Sequence, residues 1–140
     1  MLKDLTEKER MLVVPVYISL LVANADGEMD PAKRALAIKL THCKTLCCDN
    51  ELHDYYKEVE KHFAENVDHF DEILPNHRDQ RKSILDEELQ KIIPIIKKLA
   101  VEMSVKFCNS LMAYNKQVNR IHWNVPNDPL NCLAVEGLAA

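Results

Sequence analysis

Glycine is almost absent from this chain, two residues in 140, and that scarcity removes whole classes of protein at once. All-β sandwiches and barrels need many turns at positive φ, and phosphate-cradling loops need glycine where backbone must approach the ligand. Positive charge is not in excess either: 18 Lys and Arg stand against 22 Asp and Glu, for a net charge of -4. The electrostatics that underlie nucleic-acid binding are therefore missing, and no nucleic-acid partner is expected. The longest apolar run, residues 11–23, is shorter than the ~20 residues a membrane span requires, so no transmembrane segment is expected. An even cysteine framework is absent as well. Of five cysteines, Cys43, Cys47 and Cys48 crowd together while Cys108 and Cys132 stand alone, which fits reduced thiols and a cytoplasmic location better than a disulfide-stapled secreted domain.

What remains is 47% apolar and 29% charged, the composition of a folded chain, and its length suits one domain over residues 1–140. Residues 11–23 end in Ala23-Asn24-Ala25, a small-x-small pattern like a signal-peptidase site. The leader does not fit, because Lys3, Lys8 and Arg10 are offset by Asp4, Glu7 and Glu9, and a buried core helix is the better account.

Periodicity predicts helices throughout. Thr6 and Glu9 form a capping box, and apolar residues from Leu12 to Ala23 make the first helix apolar nearly all round, with Pro15 expected to kink it. Gly27 suits a helix C-cap and Asp30-Pro31 an N-cap followed by N1. The second helix then carries Ala32, Leu36, Leu40, Cys43 and Cys47 as its expected buried stripe. From Asp49 or Asn50 the positions Leu52, Tyr56, Val59, Phe63, Val67, Phe70 and Leu74 hold a 3.6-residue period up to Pro75. Residues 76–82 read as a linker or a short turn of helix. Ser83 with Asp86 reads as a second capping box, Pro94 as a break, Ile96 to Tyr114 as a long helix, and Asp128-Pro129 as the start of a short last one. The expected fold is an all-α bundle of six or seven helices, with Leu12, Val16, Leu20, Phe63, Phe70, Met103 and Phe107 in its core.

The densest chemistry is Asn24-Ala25-Asp26-Gly27-Glu28-Met29-Asp30, three carboxylates within five residues at a helix-helix turn. Capping accounts for Gly27 and Asp30 but not for Asp26, which falls at a helix C-terminus where the macrodipole disfavours negative charge. Two readings follow: a capped, solvated turn, or a site where Asp26, Glu28 and Asp30 hold calcium or a similar hard divalent cation. An EF-hand is excluded, since placing Gly27 at loop position six puts Val22 and Lys33 at the first and last ligand positions. A shift of 89 residues lays Asp26, Glu28 and Asp30 over Asn115, Gln117 and Asn119, which suggests two pseudo-symmetric helix-turn-helix halves, the second stripped of charge.

The segment Leu20-Leu21-Val22-Ala23-Asn24-Ala25-Asp26-Gly27-Glu28-Met29-Asp30-Pro31 resembles the signature of the TerB-like, tellurite-resistance family. That resemblance implies an all-α fold of two related halves, a cytoplasmic or membrane-proximal location, divalent-metal binding by acidic turns, and a stress-linked, non-catalytic scaffold role, for which a protein partner is the expected ligand class. The chain departs from it at Ala32, Lys33 and Arg34, where the family often carries acids, and in the amides of the second turn.

Other constellations point to other classes. His42, Cys43, Cys47, Cys48 and His53 offer ligands for zinc, against core packing of the cysteines. Cys48 near His53 is the local candidate for a small thiol-dependent enzyme. Glu58, His62, Glu65, His69 and Glu72 form a His-carboxylate stripe that reads as a solvated face, and Trp123 with His122 as core or a partner groove.

Overall fold

A computed structural model describes residues 5–25 and 27–123, with backbone alone at 121–123. Six α-helices lie in this span: α1 (Glu7–Ala25), α2 (Pro31–Cys47), α3 (His53–Ile73), α4 (Arg78–Gln90), α5 (Ile92–Lys97) and α6 (Val101–Trp123). One 3-10 turn, Asn50–Leu52, leads into α3, and no strand occurs among the described residues. The architecture is all-α, as the periodicity predicts.

Helix α1 is the axis of the bundle and touches each of the other five. Its sequence explains the position: every residue from Val13 to Leu20 is buried, and a helix apolar all round is stable only when other helices enclose it. Its start is fixed by the capping box, with Thr6 N–H donating to Glu9 Oε1 at 2.9 Å and Glu9 N–H to Thr6 Oγ1 at 3.2 Å. Pro15 does not end the helix. It removes the donor that would serve the Met11 carbonyl, and the Tyr55 hydroxyl of α3 donates to that oxygen instead at 2.6 Å.

Three apolar clusters surround this axis. Val16, Tyr17 and Leu20 meet Val59, Phe63, Val67 and Phe70 of α3, with the Tyr17 ring edge-on to Phe70 at 5.1 Å. Val14, Ile18 and Val22 meet Ile92, Tyr114 and Val118 on the opposite side. Leu52, Tyr56 and Phe107 join α3 to α6. Of the expected core, Leu12 and Met103 are half-buried and the other five residues are buried.

Several polar groups inside the bundle are matched to one another, while the Tyr17 hydroxyl and Gln117 Oε1 are buried without a hydrogen-bond partner among the described residues. Ser19 and Thr41 each donate to the carbonyl four residues earlier, Pro15 and Ala37. The buried Tyr114 hydroxyl therefore donates to Ser19 Oγ at 2.9 Å, with Thr41 Oγ1 at 3.3 Å, which ties α1, α2 and α6 at one point. Glu88, buried on α4, receives Arg10 at 3.0 Å and Lys91 at 2.5 Å. A buried carboxylate left alone would cost several kcal/mol, and the two cations offset that cost.

Several expectations are corrected. The buried face of α2 is Ala37, Thr41 and Thr45, whereas Ala32, Leu36, Cys43 and Cys47 are exposed and Leu40 is half-buried. Helix α4 begins at Arg78, so Ser83 lies inside it and Asp86 pairs with Lys82 at 2.6 Å rather than closing a cap. The break falls at Lys91, ahead of Pro94, which sits in the first turn of α5 where its missing donor costs nothing. Residues 115–119 form no second turn: α6 runs through them to Trp123, and Asn119 Nδ2 donates to the Asn115 carbonyl one turn back. The expected halves are therefore not repeated as helix-turn-helix units. Side chains of His122 and Trp123, and the helix expected at Asp128-Pro129, lie outside the described residues.

Candidate functional site

The turn between α1 and α2 is closed by the chain's own cations. Arg78, the first residue of α4, lays its guanidinium across the end of α1, donating from Nε to the Asn24 carbonyl and from Nη2 to the Ala25 carbonyl, both at 2.9 Å. Asn24 returns the contact through Nδ2 to the Arg78 carbonyl at 3.1 Å. A cationic fork on the last carbonyls satisfies orphan acceptors and offsets the negative end of the helix dipole. Gly27 follows at φ 120, a conformation other residues rarely adopt. Asp30 caps α2, its Oδ1 accepting from Lys33 N–H at 2.8 Å, while Lys33 Nζ donates to the Glu28 carbonyl at 3.0 Å.

Of the three expected ligands, Asp26 lies outside the described residues, and Glu28 and Asp30 are exposed. The described oxygens therefore fit a metal only in part. Two carboxylates face solvent, one of them already a cap, and the carbonyls of Asn24, Ala25 and Glu28 accept from Arg78 and Lys33. Among the described residues no three His, Cys, Asp or Glu side chains are placed to hold a metal ion. Arg78 and Lys33 are the residues sequence reasoning missed. Arg78 falls in the stretch taken for a linker, and only the folded chain brings it 54 positions back to Asn24.

The cysteine and histidine group does not converge. Cys43 and Cys47 are exposed, which also overturns their assignment to the core. His42 pairs with Glu60, and His53 Nδ1 lies 3.0 Å from the Thr45 carbonyl, an acceptor that fixes the proton on that nitrogen. Burial pushes the Cys48 thiol above its usual range, the reverse of the shift an attacking thiolate needs.

Among the described residues, two concave surfaces lie against α1. A groove of about 350 Å³ is floored by Val14, Ile18 and Ile92 and edged by Ile93, Ile96 and Met112. Beyond it, α6 leaves Val101, Val105, Cys108 and Met112 exposed at spacings of four, three and four, with Val101 79%, Val105 52% and Met112 53% accessible. The second cleft, about 320 Å³, lies between the start of α1 and α3. Its floor is Leu5, Leu12, Val13, Val59 and Phe70, and its rim carries Glu9, Glu58, His62, Asn66 and His69.

No helix among the described residues is long and apolar enough to cross a membrane. Compared with known protein families, characterised proteins and solved structures, the chain matches none.

Proposed function

We propose that this chain is a non-catalytic, TerB-like interaction module, and that the groove between α1, α5 and α6 receives one amphipathic helix of a protein partner. The apolar stripe of α6 carries the proposal. Val101, Val105, Cys108 and Met112 repeat at the four-three spacing by which helices pack side by side, over ~16 Å at 1.5 Å per residue. That length suits a partner helix of about three turns, read through anchors at i, i+3 or i+4, and i+7. Exposed apolar residues in such a row differ from the scattered ones every protein surface carries. The double variant Ile93→Asp with Met112→Asp alters two exposed side chains and should leave the melting temperature within a few degrees of wild type. A partner that binds wild type in purified form should lose binding to this variant; retained affinity would dismiss the groove.

A second reading concerns the turn, where Asp26, Glu28 and Asp30 supply oxygen chemistry for calcium or another hard divalent cation. The exposure of Glu28 and Asp30 beside Gly27 favours it. An ion there shares the turn with Lys33 and Arg78. Calcium should raise the melting temperature of the native chain through ligand linkage, and Asp26→Asn with Glu28→Gln should remove the rise. Equal responses in both proteins would place the ion elsewhere.

A further inference from the structure

Helix α3 has two polar flanks with different fates. Along one, Glu60 pairs with His42 of α2, Asp68 with Arg34 of α2, and Asp71 with Arg81 of α4. Along the other, Glu58, His62, Asn66 and His69 follow one another at spacings of four, four and three and border the cleft against α1. The side chains of these four make no hydrogen bond or ion pair with another described residue; the His69 ring packs edge-on to Phe70 at 5.1 Å. The flank read from sequence as a solvated stripe thus overhangs an apolar floor.

We propose that this cleft binds a small amphipathic cation, an apolar body with a primary ammonium head. The floor of Leu5, Leu12, Val13, Val59 and Phe70 takes the body. The volume, about 320 Å³, stands at the lower end of small-molecule pockets, ~300–1,000 Å³, and so limits the body to something near one aromatic ring and a short chain. The rim chooses the head: the Glu58 carboxylate stands on it, Glu9 being engaged in the cap of α1, and among the described residues no Lys or Arg lines the cleft, so its field favours positive charge. Ammonium supplies three N–H donors, and the Glu58 carboxylate, the Asn66 amide oxygen and the imidazoles supply acceptors. A bare metal is not the better occupant, because the described His and acidic side chains do not gather three to a point. The head meets its acceptors one by one along the helix.

Three probes of matched size separate body from head: phenethylammonium, phenethyl alcohol and 3-phenylpropionate, each titrated into the full chain by NMR. Phenethylammonium should bind tightest, with shifts centred on Val59, His62 and Phe70, the alcohol should bind more weakly and the carboxylate weakest. Glu58→Gln should weaken the ammonium probe roughly two- to fivefold, the scale of a solvent-exposed charge contact, and leave the alcohol unchanged. His62→Lys, which places a resident ammonium on the rim, should suppress the ammonium probe further. Equal response to all three probes, shifts confined to other surfaces, or no response at all would overturn the proposal.

Discussion

The Tyr55 hydroxyl donates to the Met11 carbonyl at 2.6 Å, the oxygen that Pro15 cannot serve. The central helix therefore carries a proline without a buried orphan acceptor, and α3 is locked to α1 by the repair. Replacing Tyr55 by Phe should cost about 1–2 kcal/mol in urea unfolding, the penalty of stranding that acceptor. In a Pro15→Ala background the alanine N–H can bond the same oxygen, and the cost of Tyr55→Phe should fall by roughly half or more. Additive effects would mean that Tyr55 acts through packing alone.

The hydroxyl triad predicts alkaline sensitivity. Burial pushes the Tyr114 phenol up to about 12, with the Ser19 and Thr41 contacts pulling the other way, and burial likewise takes Tyr56 to about 12. In the unfolded chain a tyrosine loses its proton near pH ~10. The folded state holds these protons more tightly, so their stabilisation is whole below pH ~10 and drains away between ~10 and ~12. Denaturation at a series of alkaline pH values should show stability falling across that window, by of order 1–3 kcal/mol for Tyr114 alone. Tyr114→Phe should flatten the slope; an unchanged slope would move the effect to other groups.

Arg78 closes the end of α1 through two hydrogen bonds of 2.9 Å. Arg78→Met should destabilise by about 1–2 kcal/mol, leaving two carbonyls without their donors. Arg78→Lys keeps the charge but loses the fork and should recover only part of that. Full recovery by lysine, read from denaturation midpoints, would reduce the contact to simple charge.

Much of this bundle was legible, and the misreadings share a cause. Thr6, Glu9, Asp30 and Pro31 act through local geometry, so their caps appear in the sequence as in the fold. The six-turn period of α3 is equally local. Helix α2 was misphased because Leu36, Leu40, Cys43 and Cys47 outrank Ala37, Thr41 and Thr45 in apolarity. Thr41 and Thr45 hide their polarity by bonding the carbonyls of Ala37 and Thr41, and the face that remains is exposed. The supposed second turn failed on punctuation: Lys116 stands where the first turn has Gly27, and Arg120 where it has Pro31, both good helix formers. The Arg78 contact at the true turn is not legible because Arg78 reaches Asn24 and Ala25 only through the tertiary fold.

Thiol reactivity checks the corrected α2. In the native chain Cys43, Cys47 and Cys108 are exposed and should react rapidly with a thiol reagent. Cys48, half-buried with its thiol pushed up by that burial, should lag until denaturant is added. Peptide-resolved mass spectrometry reads each site. Protection of Cys43 and Cys47 in the native state would restore them to an interior or to an interface.

Site-specific photo-cross-linking tests the groove most directly. A photoreactive residue at position 93 or 112 lines the groove, and one at position 65, on exposed α3 surface, serves as the control. The account predicts that both groove positions capture the same polypeptide through a helical segment, that position 65 does not, and that Ile96→Asp, at a half-buried groove position, suppresses the capture. A second copy of the chain captured through α6 would make the groove a self-association surface. Equal capture from position 65, or none from 93 and 112, would contradict the claim that this surface binds a partner.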